Sequence, residues 1–205
     1  MTKKAAAHNK VLIAIDVQND FCPGGSLAVA GGDQVVPLIN RLAEDFSHVV
    51  LTQDWHPEGH SSFASQHRGA AAFSQIDMPY GPQTLWPDHC IIDSRGAAFH
   101  SGLAIAKAEL IIRKGYRKAI DSYSAFFEND HKTPTGLGGY LRERGFTHLT
   151  LVGLAFDYCV RYSAEDAKQL GFEVSVIEAA TRAIDLAGTA EATRQSFRAR
   201  GITLA

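Results

Sequence analysis

Cysteine is scarce in this chain: three in 205 residues, Cys22, Cys90 and Cys159, widely spaced, odd in number and never in a CxxC pair. That spacing supports neither a disulfide framework nor a structural zinc knuckle, and it suits a reducing cytoplasm. Charge of one sign is just as thin. The formal net value is −2 and no Lys/Arg cluster exceeds a few residues, so the electrostatic footprint of a nucleic-acid or membrane-surface partner is missing. Long hydrophobic runs are absent too. After the basic opening MTKKAAAHNK, the stretch VLIAI is too short for a signal-peptide core or a membrane span and reads as a strand. Internal repeats and low-complexity linkers are also lacking. What remains is ordinary globular material, 45% hydrophobic and 20% charged, enough for one domain over 1–205 with a flexible N-terminus at 1–10. Small-molecule chemistry is the business that such a composition leaves.

The segments that are present alternate between strand and helix. Val11 to Val17 is apolar except for Asp16, as in a strand covered on both faces. Asp33 to about Phe46 has helical spacing, with Pro37 tolerable in its first turn. His48 to Gln53 and Leu110 to Ile112 read as strands, Thr135 to Arg144 as a helix closed by Gly145, and Leu149 to Val152 as a strand punctuated by Gly153. A helix carrying Cys159 in its first turn runs to about Leu170. Strand Glu173 to Ile177, helix Ala187 to Arg200 and a short strand Ile202 to Leu204 complete the chain. This β–α alternation predicts an α/β fold with an open six-stranded, mainly parallel sheet and helices on both faces, a Rossmann-like three-layer arrangement. Residues 57–100 break the pattern. Rich in Gly, Pro, Ser and His and without periodicity, they read as a long active-site loop region, since loops of that length in a compact domain are usually functional.

Four polar residues fall where these strands end. Asp16 closes the first, Asp54 follows the second, Lys114 the third and Cys159 the fourth. Ligands bind at the carboxyl edge of open parallel sheets, so this is a constellation and not a scatter. A lone cysteine is more often a small buried hydrophobe than a nucleophile, but here a carboxylate can take its proton. An ammonium can stabilise the thiolate, and a helix N-terminus favours the same form. Asp16, Lys114 and Cys159 could therefore act without a histidine. Asp54 and His56, two apart on an extended segment, point to one side and can share a metal. His60, His67, His89 and His100 are candidates for a third ligand, with His89 favoured by its place in LWPDHC.

Five motifs in order then carry a resemblance: IAIDVQNDFCPGG from Ile13, QDWHPEGHSSFA from Gln53, LWPDHC from Leu85, RKG with DSYSAFF between Arg113 and Phe127, and VGLAFDYCV from Val152. Together they resemble the nicotinamidases, also active as pyrazinamidases, of the isochorismatase-like cysteine hydrolases. The resemblance implies a catalytic triad of Asp16, Lys114 and Cys159, the three that strand-end placement selects. It implies metal ligands Asp54, His56 and His89 for one divalent ion, Zn²⁺ first with Fe²⁺ or Mn²⁺ as alternatives, and leaves His60 beside them. It also implies an oxyanion hole at the Ala155 and Cys159 N–H groups after a cis Leu154–Ala155 bond, and substrate contacts from Phe21, Trp86, Tyr123 and Leu154. The activity implied is hydrolysis of nicotinamide to nicotinate and ammonia through a cysteine thioester, as in NAD salvage, with the metal orienting the pyridine ring. Phe156 departs from the small polar residue usual at its position and puts that loop's packing in question. Rival readings are a related amidase or isochorismatase-type hydrolase, which would lack the Asp54, His56, His89 set, and a binding homologue, which would lack a triad residue. The expected partner is a small molecule, with no nucleic acid or membrane and with a homo-oligomer left open.

Overall fold

The computed structural model describes residues 9–205. Its sheet is built from β1 (Lys10–Ile15), β2 (Val49–Asp54), β5 (Leu110–Lys114), β6 (His148–Leu154), β7 (Glu173–Arg182) and β8 (Thr203–Leu204). Their order is β5-β2-β1-β6-β7-β8, and every neighbouring pair is parallel. Successive side chains of a strand face opposite ways, and β1 shows the consequence of being covered twice. Val11, Ile13 and Ile15 join one apolar cluster, while Leu12 and Ala14 join another. On the first face lie α2 (Leu137–Glu143), α3 (Arg161–Gln169) and α4 (Thr189–Arg200), contributing Leu137, Ala164 and Phe197. The second face is covered by α1 (Val35–Leu42), through Val35, Val36 and Ile39, and by the long loop through Trp86 and Cys90.

Several boundaries differ from the sequence reading, each for a local reason. Lys10 already pairs with His148, so it belongs to β1; the rest of the expected flexible N-terminus, residues 1–8, lies outside the described residues. Gly153 does not end its strand but sits inside β6 at φ +108°, where an added Cβ would collide with Ile15 O of the neighbouring strand. There the β6–β7 register jumps from Leu151↔Val176 to Gly153↔Thr181, which lets β7 run on to Arg182 instead of stopping at Ile177. Cys159 lies in a π-turn, Phe156–Val160, that precedes α3, so the nucleophile is presented before the regular helix begins. Within residues 57–100 a two-stranded antiparallel hairpin forms, β3 (Gln75–Met78) with β4 (Gly81–Thr84). Its strands are too short and too polar to announce themselves by alternation.

Candidate active site

Asp16 follows β1 with φ +46° and is fully buried. Its N–H donates to Thr52 Oγ1 at 3.1 Å, and the Thr52 hydroxyl donates back to Asp16 Oδ1 at 2.6 Å. Oδ2 is thereby left to face Lys114 Nζ, 2.9 Å away. Lys114 ends β5, and its ammonium also donates to Asp54 Oδ1 at 3.0 Å and Ser122 O at 2.8 Å while standing 3.4 Å from Cys159 Sγ.

Burial dominates the electrostatics of this trio. It pushes the Cys159 thiol well above its ordinary range; Lys114 opposes this and is outweighed, with Asp16 and Asp54 adding to the rise. Burial likewise raises Asp16 above the usual carboxylate range against the pull of Lys114. For Lys114 burial works against the charge, but Asp16 and Asp54 reverse the outcome and hold it well above its usual range. Burial therefore favours the neutral thiol, and Lys114 is the group that pulls both Cys159 and Asp16 the other way.

Asp54, His56 and His89 converge beside this trio, all buried, with their ligand atoms within 4.8 Å of one another. His56 Nδ1 faces Gly115 O at 2.9 Å and His89 Nδ1 faces Pro87 O at 2.8 Å, so each Nδ1 carries the hydrogen. Both Nε2 lone pairs then point at Asp54 Oδ2, from 3.1 Å and 3.5 Å. Three electron-rich atoms facing one another in a dry site repel unless a cation lies among them, so the donor set fits a divalent metal; buried imidazole and carboxylate suit Zn²⁺, Fe²⁺ or Mn²⁺. Gly115, at φ +68°, makes room: a Cβ there would come within 2.5 Å of His56 Cε1. His60 is differently committed. Its Nε2 donates toward Arg117 O and Ile120 O at 3.0 and 3.1 Å, and its Nδ1 accepts from Ser62 N at 3.2 Å. Of the other histidines, His67 Nε2 donates to Ser61 O at 2.7 Å, and His100 lines a separate polar hollow with Asp33 and Arg95.

Between thiol and histidines lies a narrow cavity lined by Phe21, Leu27, Trp86, Tyr123, Ala155, Tyr158 and Ile184 besides Asp54, His89, Asp121 and Cys159. Phe21 meets the His89 ring edge-on at 5.6 Å, and Trp86 meets Tyr158 edge-on at 4.8 Å. The Leu154–Ala155 peptide is cis. Leu154 needs correcting: its side chain does not line the cavity but is wholly buried in the apolar cluster on the α1 side, against the turn at Gly32. Strand alternation sends it into the layer beneath the site. Phe156 also turns away, packing edge-on against Phe197 of α4 at 5.7 Å, so the bulky residue leaves the cavity unaltered.

An isochorismatase-domain family model matches residues 10–204. The chain belongs to the isochorismatase family. Within it, the chain is 50% identical over 196 residues to a nicotinamidase of Acinetobacter baylyi, covering 96% of this chain and 92% of that one. A solved nicotinamidase/pyrazinamidase structure from Acinetobacter baumanii superposes with a TM-score of 0.95 at 51% identity, covering 96% and 95% of the two chains. The pyrazinamidase of Pyrococcus horikoshii, solved in complex with zinc, superposes with a TM-score of 0.78 at 32% identity over 96% and 98%.

Some members of this family site escaped the sequence reading. Gln18 takes the Asp54 N–H on Oε1 at 2.8 Å and donates to Asp54 O and Ala97 O at 2.8 Å each, clamping the metal-facing aspartate. The QND motif contained it, but nothing in its spacing marks a positioning role. Asp157 accepts from Ile184 N at 3.0 Å, Asp185 N at 2.7 Å and the Thr189 hydroxyl at 2.5 Å, tying the loop that carries Ile184 to the nucleophile turn. Tyr158, carried by the π-turn, also lines the cavity.

Proposed function

We propose that this protein is a nicotinamidase that also accepts pyrazinamide. The observation that carries the reading is the placement of one small aromatic-lined cavity between the Asp16–Lys114–Cys159 trio and the Asp54–His56–His89 donor set. Nicotinamidases and pyrazinamidases matching nearly the whole chain support it. The ring of the substrate lies among Phe21, Trp86 and Tyr123, whose faces and edges suit a flat heterocycle. Asp54, His56 and His89 would hold one divalent ion, Zn²⁺ in the first instance by analogy with the zinc complex of the relative, and when bound it supplies a Lewis acid for a pyridine nitrogen.

Catalysis starts when Asp16 takes the Cys159 proton while Lys114 stays cationic beside both, stabilising the thiolate that forms. The sulfur then bonds to the carboxamide carbon. Negative charge moves to the carbonyl oxygen, which accepts hydrogen bonds from the Ala155 and Cys159 N–H groups; one such donor is typically worth about 3 kcal/mol of barrier. The carbon–nitrogen bond breaks, the nitrogen takes the proton held on Asp16, and ammonia departs, leaving a thioester. Asp16, again ionised, deprotonates a water whose oxygen attacks that thioester, and the expelled sulfur recovers the proton to give the free acid and the resting thiol. A reducing compartment such as the cytoplasm would keep that thiol active.

The test is ammonia release from nicotinamide, pyrazinamide and benzamide by metal-loaded and chelator-treated protein. The expected result is turnover of the first two, a kcat/KM for benzamide lower by several orders of magnitude for want of the ring nitrogen, and loss of activity on chelation. Near-equal values for nicotinamide and benzamide would replace the reading with a general aryl amidase.

A further inference from the structure

Tyr123 and Tyr158 belong to two spaces at once. Inward they line the thiol cavity; outward they line a second hollow of roughly 340 Å³ with Tyr80, Asn129, His131 and Arg161. The two rings meet edge to face at 5.6 Å and 81°. Trp86 backs Tyr158 at 4.8 Å and Tyr123 at 6.0 Å, and the Tyr123 hydroxyl accepts from the buried Gln83 Nε2 at 2.8 Å. The pair is therefore a braced partition between the thiol cavity and the polar hollow.

We infer that the Tyr123–Tyr158 wall sets the upper size of the acyl ring by closing the cavity opposite both the thiol and the metal ligands. The inference rests on the proposed function for its substrate class and deepens it. The reasoning is geometric. In a pyridine-3-carboxamide the ring nitrogen, the carboxamide-bearing carbon and carbon 5 are alternate vertices that point in three evenly spread directions. With the nitrogen towards Asp54 and His89 and the carboxamide towards Cys159, carbon 5 faces the remaining side. The wall takes that side because Tyr123 and Tyr158 are the cavity-lining residues shared with the outer hollow, where polar groups and Arg161 leave room for a substituent. Removal of either ring joins the two spaces.

The experiment compares 5-phenylnicotinamide with nicotinamide on the wild type, Tyr158→Ala, Tyr123→Ala and Tyr158→Phe. Wild type should turn over the phenyl compound very poorly, each Ala variant should raise the kcat/KM ratio of phenyl compound to nicotinamide by roughly ten-fold or more, and Tyr158→Phe, which keeps the ring, should leave the ratio where it was. A second readout needs no turnover: the rate at which N-phenylmaleimide modifies Cys159 relative to iodoacetamide should rise in the Ala variants and not in Tyr158→Phe. Comparable hydrolysis of both amides by the wild type overturns the wall. So does an unchanged substrate ratio or labelling ratio in whichever Ala variant remains folded. Absence of nicotinamide turnover in the wild type would instead remove the proposed function, while the labelling ratio would still decide the wall.

Discussion

Two buried charge clusters share one wall of this site, and they are balanced in opposite ways. In the first, Asp16 and Cys159 are partnered by a cation from the chain itself, Lys114, so the cluster is complete as folded. In the second, Asp54 meets two imidazoles whose hydrogens are turned outward onto Gly115 O and Pro87 O, so the chain presents lone pairs to lone pairs. Asp54 bridges them, with Oδ1 on Lys114 and Oδ2 on the histidines. The difference teaches that adjoining acidic clusters can be buried by different means: the first is neutralised through an ion pair with a lysine of the chain itself, and the second presents a donor set that fits a cation.

The largest expected break in that comparison is loss of the nucleophile. Cys159→Ala should lower nicotinamide turnover by roughly 10⁶-fold, while Cys22→Ala and Cys90→Ala, whose sulfurs lie outside the trio, should retain substantial activity. Comparable loss in all three would undo the assignment. Next in size is Lys114→Met, which strips the cation from the first cluster and from Asp54 together. Leaving buried carboxylates without their partner typically costs about 3–5 kcal/mol, so the melting temperature should fall as well as the activity. Lys114 is the group that lowers both Cys159 and Asp16, so its removal raises both, and iodoacetamide labelling of Cys159 should move to higher pH. An unchanged labelling profile would show that the ammonium does not act on the thiol.

The two clusters also differ in how plainly the sequence announces them. Asp16, Asp54, Lys114 and Cys159 were legible because parallel strands deliver their last residues to one edge, so four strand ends suffice to bring them together. His56 followed from strand spacing. His89 did not follow from spacing alone, since it arrives on the long loop through a backbone path that only the folded chain supplies; its motif singled it out. The wall of the cavity was the least legible part. Tyr158 depends on a π-turn that periodicity reads as ordinary helix, the hairpin Gln75–Thr84 is too polar to register as strands, and Leu154 was assigned to the cavity when alternation carries its side chain into the layer below. Strand ends are set by local pattern, whereas loop-borne walls are set by tertiary contacts.

The smallest expected effect concerns the proton-transfer cluster alone and separates it from its neighbour most finely. Thr52 grips Asp16 twice, accepting its N–H and donating to Oδ1, so that Oδ2 is the oxygen aimed at Lys114. The hydroxyl hydrogen bond stabilises the carboxylate and so lowers the Asp16 pKa against the rise that burial imposes. Removing it must raise that pKa further. Asp16 acts as a base only when ionised, so the acid limb of kcat/KM in Thr52→Val should move to higher pH. A hydrogen bond to a charged group is worth about 1.5–3 kcal/mol, which sets the loss of kcat/KM near neutral pH at roughly ten- to a hundred-fold. Thr52→Ser, which keeps the hydroxyl, should restore both the limb and the rate. Metal content should be unaffected in either variant, because Thr52 touches neither histidine nor the Asp54 carboxylate through any hydrogen bond among the described residues. A Thr52→Val protein whose acid limb stays in place, or whose metal content falls with its activity, would show that the two clusters cannot be separated at this residue.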